Sequence, residues 1–309
     1  MNFPLGSLMD SMDEVHVQAR AITDDSRTLL AVYKDDKLVL VLLKVAGDMP
    51  WQLGYPGGGE LAENDAHAAV APLVSFLSSS LEPKALDQVI GRASTVDAFL
   101  DAWVAATAAR GVRVTALPPH TRSKRAYATL ASLPASPAPA PLKVERAHED
   151  DIEALTQLCV DFSRITRGSA MPREQAHARV ALDVSLGHIW TCREAGRPMG
   201  YLALGRVTRR TIAIRSLYVA PEHQRKGVGV ALTVAMTRYL LGAPPLEGGP
   251  AGVPEGGVKE QVCLNVSEEY VERIYKKCGF LLGEDDRDPV SGHKAWFASV
   301  ARNVKVVDG

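Results

Sequence analysis

Residues Ser216–Gly229, SLYVAPEHQRKGVG, run directly into the apolar stretch VALTVAMTRYLL of Val230–Leu241. The order is an extended run, a tight turn and the start of a helix. The turn, Gln224 to Gly229, places two glycines and two cations where the chain reverses. Such a turn suits an anion. The first backbone N–H groups of a helix lack internal partners, the helix dipole puts partial positive charge there, and glycine lets a phosphate approach the backbone.

The chain is 309 residues long, enough for one large domain or two ordinary ones, and two are expected. Lys plus Arg number 35 against 36 Asp plus Glu, a net charge of −1. No global field favours nucleic acid or an acidic membrane surface, so an anionic ligand must be held by a local cluster. The four cysteines, Cys159, Cys192, Cys263 and Cys278, form no Cys-x-x-Cys pair and no zinc spacing. No metal is expected. Residues Met1–His16 lack the pattern of a signal peptide, and no apolar run approaches the roughly 20 residues of a membrane span. These readings imply a reducing, cytoplasmic setting and no membrane partner.

Thr28–Val45 reads as a hairpin of two strands reversed at Lys34–Lys37. Gly57-Gly58-Gly59 follows no clear strand and lacks the Lys-Ser/Thr of a P-loop, so it reads as a surface loop. Glu63–Leu81, despite Pro72, and Val96–Ala109 suit helices, Val112–Ala116 a short strand, and Arg122–Ala131 a further helix. Residues 1–130 are thus expected to form an α/β lobe. Ala131–Pro141, ASLPASPAPAP, has four prolines and reads as a stiff linker and domain boundary.

Beyond it, strand patterns occur at Leu142–Arg146, His188–Arg193, Met199–Arg206, Ala213–Val219, Gln261–Val266 and around His293–Val300. Helical patterns occur at His148–Ser163, Met171–Leu186, after the glycine turn, and at Glu268–Lys277. Gly242–Gly257, with six glycines and four prolines, reads as a mobile insertion in a domain spanning 142–309.

Two motifs in this order, LYVAPEHQRKGVG at 217–229 and VCLNVSEEYVERIYKKCGF at 262–280, give a resemblance to the GNAT superfamily of acyl-CoA-dependent N-acetyltransferases. It covers roughly Leu142–Val300. The first motif carries the family's Gln/Arg-x-x-Gly-x-Gly/Ala turn at Gln224, Gly227 and Gly229. The fold implied is α/β (α+β): a mixed, mostly antiparallel sheet flanked by helices. The N-terminal lobe is either a degenerate GNAT-like copy or an unrelated α/β unit.

The resemblance implies acetyl-CoA as co-substrate. Backbone N–H groups of Gln224, Arg225, Lys226, Gly227, Val228 and Gly229 would hold the coenzyme A diphosphate, with charge-assisted help from Arg225 and Lys226. In the family the preceding strand splays from its neighbour, often at a bulge, and leaves backbone groups for the pantetheine arm; here these are Leu217, Tyr218 and Val219. A backbone N–H there would polarise the thioester carbonyl and support the oxyanion. Tyr275 matches the tyrosine that protonates the departing thiolate, a role a phenol can fill because its pKa of about 10 lies near that of a thiol.

Two departures stand out. Where the family often has Asn, seven residues before the tyrosine, this chain has Glu268, with Asn265 as a possible substitute. The strand Ala213–Ser216 lacks the carboxylate that often serves as general base. Glu222, His223, Asp161, His188 and a water chain all remain open. The implied activity is transfer of acetyl to a primary amine of a small molecule by direct attack. The alternatives are a non-catalytic acyl-CoA-binding module and a protein N-acetyltransferase.

Overall fold

The computed structural model describes residues 28–307 apart from 35, 46–48, 56–59 and 136–141. The expectations for Met1–His16, for Gly57–Gly59 and for most of the proline stretch fall outside the described residues. Packing divides the chain into two compact units. The first takes the chain up to Arg125 together with Glu284–Arg287 and the residues from Ser291 onward. The second holds Ala126–Gly283 and Asp288–Val290.

In the first unit β1 (Thr28–Lys34) and β2 (Lys37–Lys44) form the expected antiparallel hairpin, and β3 (Trp51–Gly54) follows antiparallel to β2. The single helix expected over Glu63–Leu81 is two, α1 (Glu60–Ala68) and α2 (Val70–Ser80). Pro72 lies in the first turn of α2, where its missing N–H costs no intrahelical bond. These helices carry the chain from β3 to β4 (Gln88–Arg92), which is parallel to β3. Then α3 (Ala93–Ala109) buries Val96, Phe99, Leu100 and Trp103, the spacing of one helical face. Each of these side chains contributes about 1.5–3 kcal/mol by leaving water. The last strand of this unit in sequence before the crossing is β5 (Val114–Ala116).

Arg122–Ala131 is not the expected helix. Thr121–Ala128 is strand β6, with Arg125, Ala126 and Ala128 buried. Its Arg, Lys and Ala residues favour a helix by propensity alone, and the demand for a buried extended segment overrides that weak preference. The boundary between units falls inside β6 rather than in the proline stretch. Just after it, the Ser132 hydroxyl donates to Gly279 O at 2.8 Å, which fixes the start of that stretch to the second unit.

The second unit orders β7 (Val144–Arg146), β8 (Ile189–Glu194), β9 (Arg197–Gly205) and β10 (Thr211–Val219) as antiparallel neighbours. Between β7 and β8 run α4 (Ile152–Arg167) and α5 (Arg173–Ser185). Leu155, Leu158, Val180 and Val184 from these helices pack with Ile189, Tyr201, Ala203 and Tyr218 of the sheet. After β10 come α6 (Val228–Leu240), β11 (Gln261–Val266) parallel to β10, and α7 (Glu269–Lys277). The architecture is thus the mixed, mostly antiparallel sheet with flanking helices that the two motifs imply.

Two further expectations change. The Gly/Pro-rich segment 242–257 has no regular element, yet its backbone is tied down rather than loose. Val144 N–H donates to Gly248 O at 2.7 Å, the Tyr239 hydroxyl to Val253 O at 3.2 Å, and Lys259 Nζ to Gly256 O at 2.8 Å. The last strand, β12 (Trp296–Val306), is longer than expected. It belongs to the first unit rather than to a 142–309 domain, because it pairs with β4 and β5 of that unit.

Candidate active site

β10 changes partners along its length. Its parallel register with β11 runs from Thr211↔Gln261 to Ile214↔Leu264 and ends there. Its antiparallel register with β9 continues to Val219↔Gly200, with a shift between Ile214 and Ser216. Arg215 is the extra residue of this bulge, and a bulge sharpens the local twist and redirects the strand. Leu217, Tyr218 and Val219 therefore lie beyond the last rung shared with β11.

The turn that follows is built by local geometry. Pro221–His223 makes one 3-10 turn, and the Gln224 side chain donates from Nε2 to Val219 O at 3.1 Å, tying the turn to the end of β10. Arg225 has φ 63° and Gly227 has φ 84°. The left-handed region costs a non-glycine residue about 1–2 kcal/mol, so Arg225 marks a strained turn and Gly227 relieves the second position. Gly227 caps α6, and the first helical bond is donated by Ala231 N–H to Gly227 O at 2.9 Å. The N–H groups of Val228, Gly229 and Val230 precede it and point out of the helix end. The Val228 side chain is itself buried.

Arg225 and Lys226 are exposed. Lys226 Nζ lies 3.8 Å from Glu194 Oε1 and 3.5 Å from His223 Nδ1, and Glu194 Oε2 is 3.7 Å from His223 Nδ1. The carboxylate at the end of β8 thus shares the field of the turn's cations.

α7 lies against the first turn of α6. A Cβ on Gly229 would stand 3.6 Å from Ile274 Cδ1, 3.7 Å from Val219 Cγ2 and 3.9 Å from Leu217 Cδ2. Cys278 Sγ approaches Val230 O at 3.9 Å. Tyr275 sits between Ile274 and Cys278 in sequence. It is buried, with its ring 5.7 Å from that of Phe280 in an edge arrangement. Burial pushes its phenol well above the usual 10, with Cys278 and Tyr270 adding to the effect. The group is therefore protonated throughout the neutral range. Glu268, the first departure, is exposed at the N-cap of α7, and Asn265 is exposed on β11 one residue past Leu264.

The missing strand carboxylate has a counterpart that sequence reading overlooked. Asp183 comes from α5 and is nearly sealed, and Arg215 Nη2 donates to both its oxygens at 2.7 and 2.6 Å. Arg179 Nε adds a third contact at 3.1 Å. Two guanidiniums bracket this carboxylate, which makes it a brace for the bulge. The signal available in sequence was the Arg179/Asp183 spacing of i,i+4 beside Val180 and Val184, which puts Asp183 near the apolar face. Of the open base candidates, Asp161 accepts from Gln157 Nε2 at 3.2 Å and Arg164 Nη1 at 3.0 Å, while Glu222 is exposed on the 3-10 turn. His188 donates its backbone N–H to Asp183 O at 2.8 Å.

The cysteines are free thiols. Burial pushes Cys192, Cys263 and Cys278 each up to about 12, so none is a ready thiolate nucleophile. Among the described residues no group of His, Cys, Asp and Glu is placed to hold a metal ion, and no helix is long and apolar enough to cross a membrane.

These residues fit the phosphate-bearing end of an acyl-coenzyme A. Outward N–H groups meet a left-handed glycine with open space where its Cβ would be, two exposed cations stand beside them, and the strand leading in has left its neighbour.

Comparison with known proteins agrees. The sequence model described as an acetyltransferase (GNAT) domain matches residues 185–281, which contain both motifs. No curated protein matches the chain. Among solved structures, a GCN5-related N-acetyltransferase from Kribbella flavida aligns over 100% of this chain and 97% of its own, at 12% identity and a TM-score of 0.51. A GNAT-family acetyltransferase from Colwellia psychrerythraea aligns over 96% of each chain at 10% identity and a TM-score of 0.48. A tandem GNAT protein from the clavulanic acid biosynthesis pathway covers 98% of this chain and 94% of its own, at 12% identity and 0.44. At such identities the likeness speaks to fold, and the Kribbella flavida protein carries that argument. Residues 185–281 thus match the GNAT acetyltransferase domain, and the fold of the chain is similar to that of GNAT acetyltransferases.

Proposed function

We propose that this protein transfers acetyl from acetyl-CoA to a primary amine of a small molecule, by direct attack within a ternary complex. One observation carries the reading: β10 parts from β11 after Ile214 and delivers the chain, through the turn at Gln224–Gly227, to the open N–H groups of α6. When bound, the co-substrate supplies an acetyl group activated as a thioester.

In this reading the backbone N–H groups of Gln224–Gly229 hold the diphosphate, and Arg225 and Lys226 add charge. Lys226 must exchange the field of Glu194 for that of a phosphate. The backbone of Leu217–Val219 aligns the pantetheine arm and polarises the thioester carbonyl. Tyr275 holds the proton for the departing thiolate. Its raised pKa keeps the phenol protonated until a negative charge develops beside it. The deeply buried thiols argue against an acyl-cysteine route.

The first unit fits a degenerate copy of the same fold. Each unit contains one parallel strand pair spanned by helices, β3 with β4 and β10 with β11. We read the cytoplasm as the compartment, a reading supported by the free thiols.

Calorimetry with acetyl-CoA, followed by thiol release over a panel of amines, tests the proposal. Binding with amine-dependent release is the expected result. Binding without release from any amine would identify an acyl-CoA-binding module instead.

A further inference from the structure

In the first unit β3 and β4 run parallel, and their shared register ends at Gln52↔Ile90. Tyr55 and Arg92 lie past that last rung, at the carboxyl ends of the two strands. α3 starts directly after Arg92, and its N-cap side chain bonds none of the first N–H groups. The carboxyl ends of parallel strands are where such sheets receive ligands, because helix N-termini open there.

The Arg92 guanidinium lies 4.6 Å from the centre of the Tyr55 ring and 4.1 Å from that of Phe297. The rings come from the two sides of β4, one just after β3 and the other on β12, where Ser299 pairs with Arg92. Among the described residues no carboxylate stands within 4.0 Å of this guanidinium. Glu63 of α1 instead accepts from Ser94 Oγ and lies 4.0 Å from His67 Nε2.

Three buried hydroxyls in this region also lack a partner: Tyr55 Oη, Thr95 Oγ1 in the first turn of α3, and Ser299 Oγ. Tyr55 is 7% exposed and Thr95 1%. The Arg92 and Thr95 side chains approach the Tyr55 hydroxyl, but no hydrogen bond of acceptable geometry joins them. Buried polar groups are ordinarily satisfied within the fold, so a guanidinium and hydroxyls left open together point to a group supplied from outside. Burial lowers the guanidinium from its ordinary value, with Tyr55 and Glu63 opposing, a cost that an arriving anion would relieve.

We propose that the first unit has a ligand site of its own, in which Arg92, Tyr55 and Thr95 bind the carboxylate of a small molecule. Rings flanking the guanidinium leave its edge to the ligand, and a planar carboxylate meets that edge with two parallel N–H bonds. The Tyr55 and Thr95 hydroxyls then donate to the remaining lone pairs. Burial raises the Tyr55 phenol, so it carries its proton at neutral pH. A tetrahedral phosphate would turn oxygens toward the rings.

The test uses the full chain without acetyl-CoA, so its outcome is independent of the acetyltransferase reading. Thermal unfolding is followed in saturating acetate, the carboxylate probe, and in inorganic phosphate and chloride at equal ionic strength and pH. Acetate is expected to raise the wild-type Tm by about 2–4 °C over chloride, and phosphate by less than half as much. R92M is expected to abolish the acetate shift. Y55F and T95V preserve shape and remove hydroxyls that lack partners in the free protein. They are expected to hold or raise the Tm in chloride while cutting the acetate shift by about half or more. A purely structural role would instead lower the Tm in chloride and leave the acetate shift intact. Should R92M fail to fold, Y55F and T95V decide. No acetate shift in the wild type, a full shift retained in Y55F and T95V, or a phosphate shift equal to that of acetate would each overturn the site.

Discussion

Arg215 and Asp183 are joined by one guanidinium nitrogen that donates to both carboxylate oxygens, at 2.7 and 2.6 Å. The pair joins the bulge of β10 to α5, at the point where β10 parts from β11. The carboxylate beside the bulge thus comes from a helix rather than from the strand. Both side chains are largely buried, at 14% and 8% exposure, so the pair is shielded from solvent screening.

Asp183→Asn should therefore destabilise the fold. It removes the charge that balances Arg215 and Arg179, and breaking one partner of a buried pair costs about 3–5 kcal/mol. Urea unfolding should give a clearly lower midpoint than for the wild type. A midpoint shift worth under about 1 kcal/mol would make the brace dispensable.

Tyr275→Phe should lower kcat by about 10²-fold at neutral pH while calorimetry still detects acetyl-CoA. The phenol's pKa is raised by burial, so it stays protonated through its usual titration near 10. Loss of this acid should therefore produce no alkaline fall in the wild-type rate below about pH 10. An unchanged kcat in the variant would remove the acid role.

The buried thiols make a pH-dependent contribution to stability. Cys192, Cys263 and Cys278 move from an ordinary 9 to about 12 on folding, so the unfolded chain loses its thiol protons first as pH rises. Their contribution is fully present below about pH 9 and is lost progressively between about 9 and 12. Urea midpoints should be level from pH 7 to 8.5 and fall from pH 9 to 11. In the native protein at pH 8 a thiol reagent should react with Cys159, which is only partly buried, well before the other three. Rapid labelling of all four would contradict the burial.

Gly227→Ala isolates the turn. Its Cβ would meet open space, so the whole penalty is conformational, about 1–2 kcal/mol at φ 84°. The variant should remain folded, and relaxing the turn should weaken acetyl-CoA binding at least tenfold by calorimetry. Gly229→Ala, whose Cβ finds ordinary contacts at 3.6–3.9 Å, should cost the fold less. Undiminished affinity in Gly227→Ala would place the diphosphate elsewhere.

The strand, turn and helix at Ser216–Leu241 were legible because each rests on local chemistry: β-branched residues, a glycine at the left-handed position before the helix and an unbroken apolar helix. The same holds for Tyr275 and for the Gly279 that ends its helix. Arg122–Ala128 was misread because its helix-favouring residues are overruled by a sheet, and no local pattern announces that. The C-terminal strand went to the wrong unit for a related reason, since a ladder partner such as Ile90 for Ala301 lies some two hundred residues away. By itself the sequence determined the turn and its helix, and through the resemblance it pointed to acyl-CoA and to Tyr275 as the acid candidate. Only the tertiary structure decided where β10 leaves β11 and which helix supplies Asp183 to Arg215. Contacts between elements far apart in the chain depend on packing geometry, which spacing along one segment does not encode.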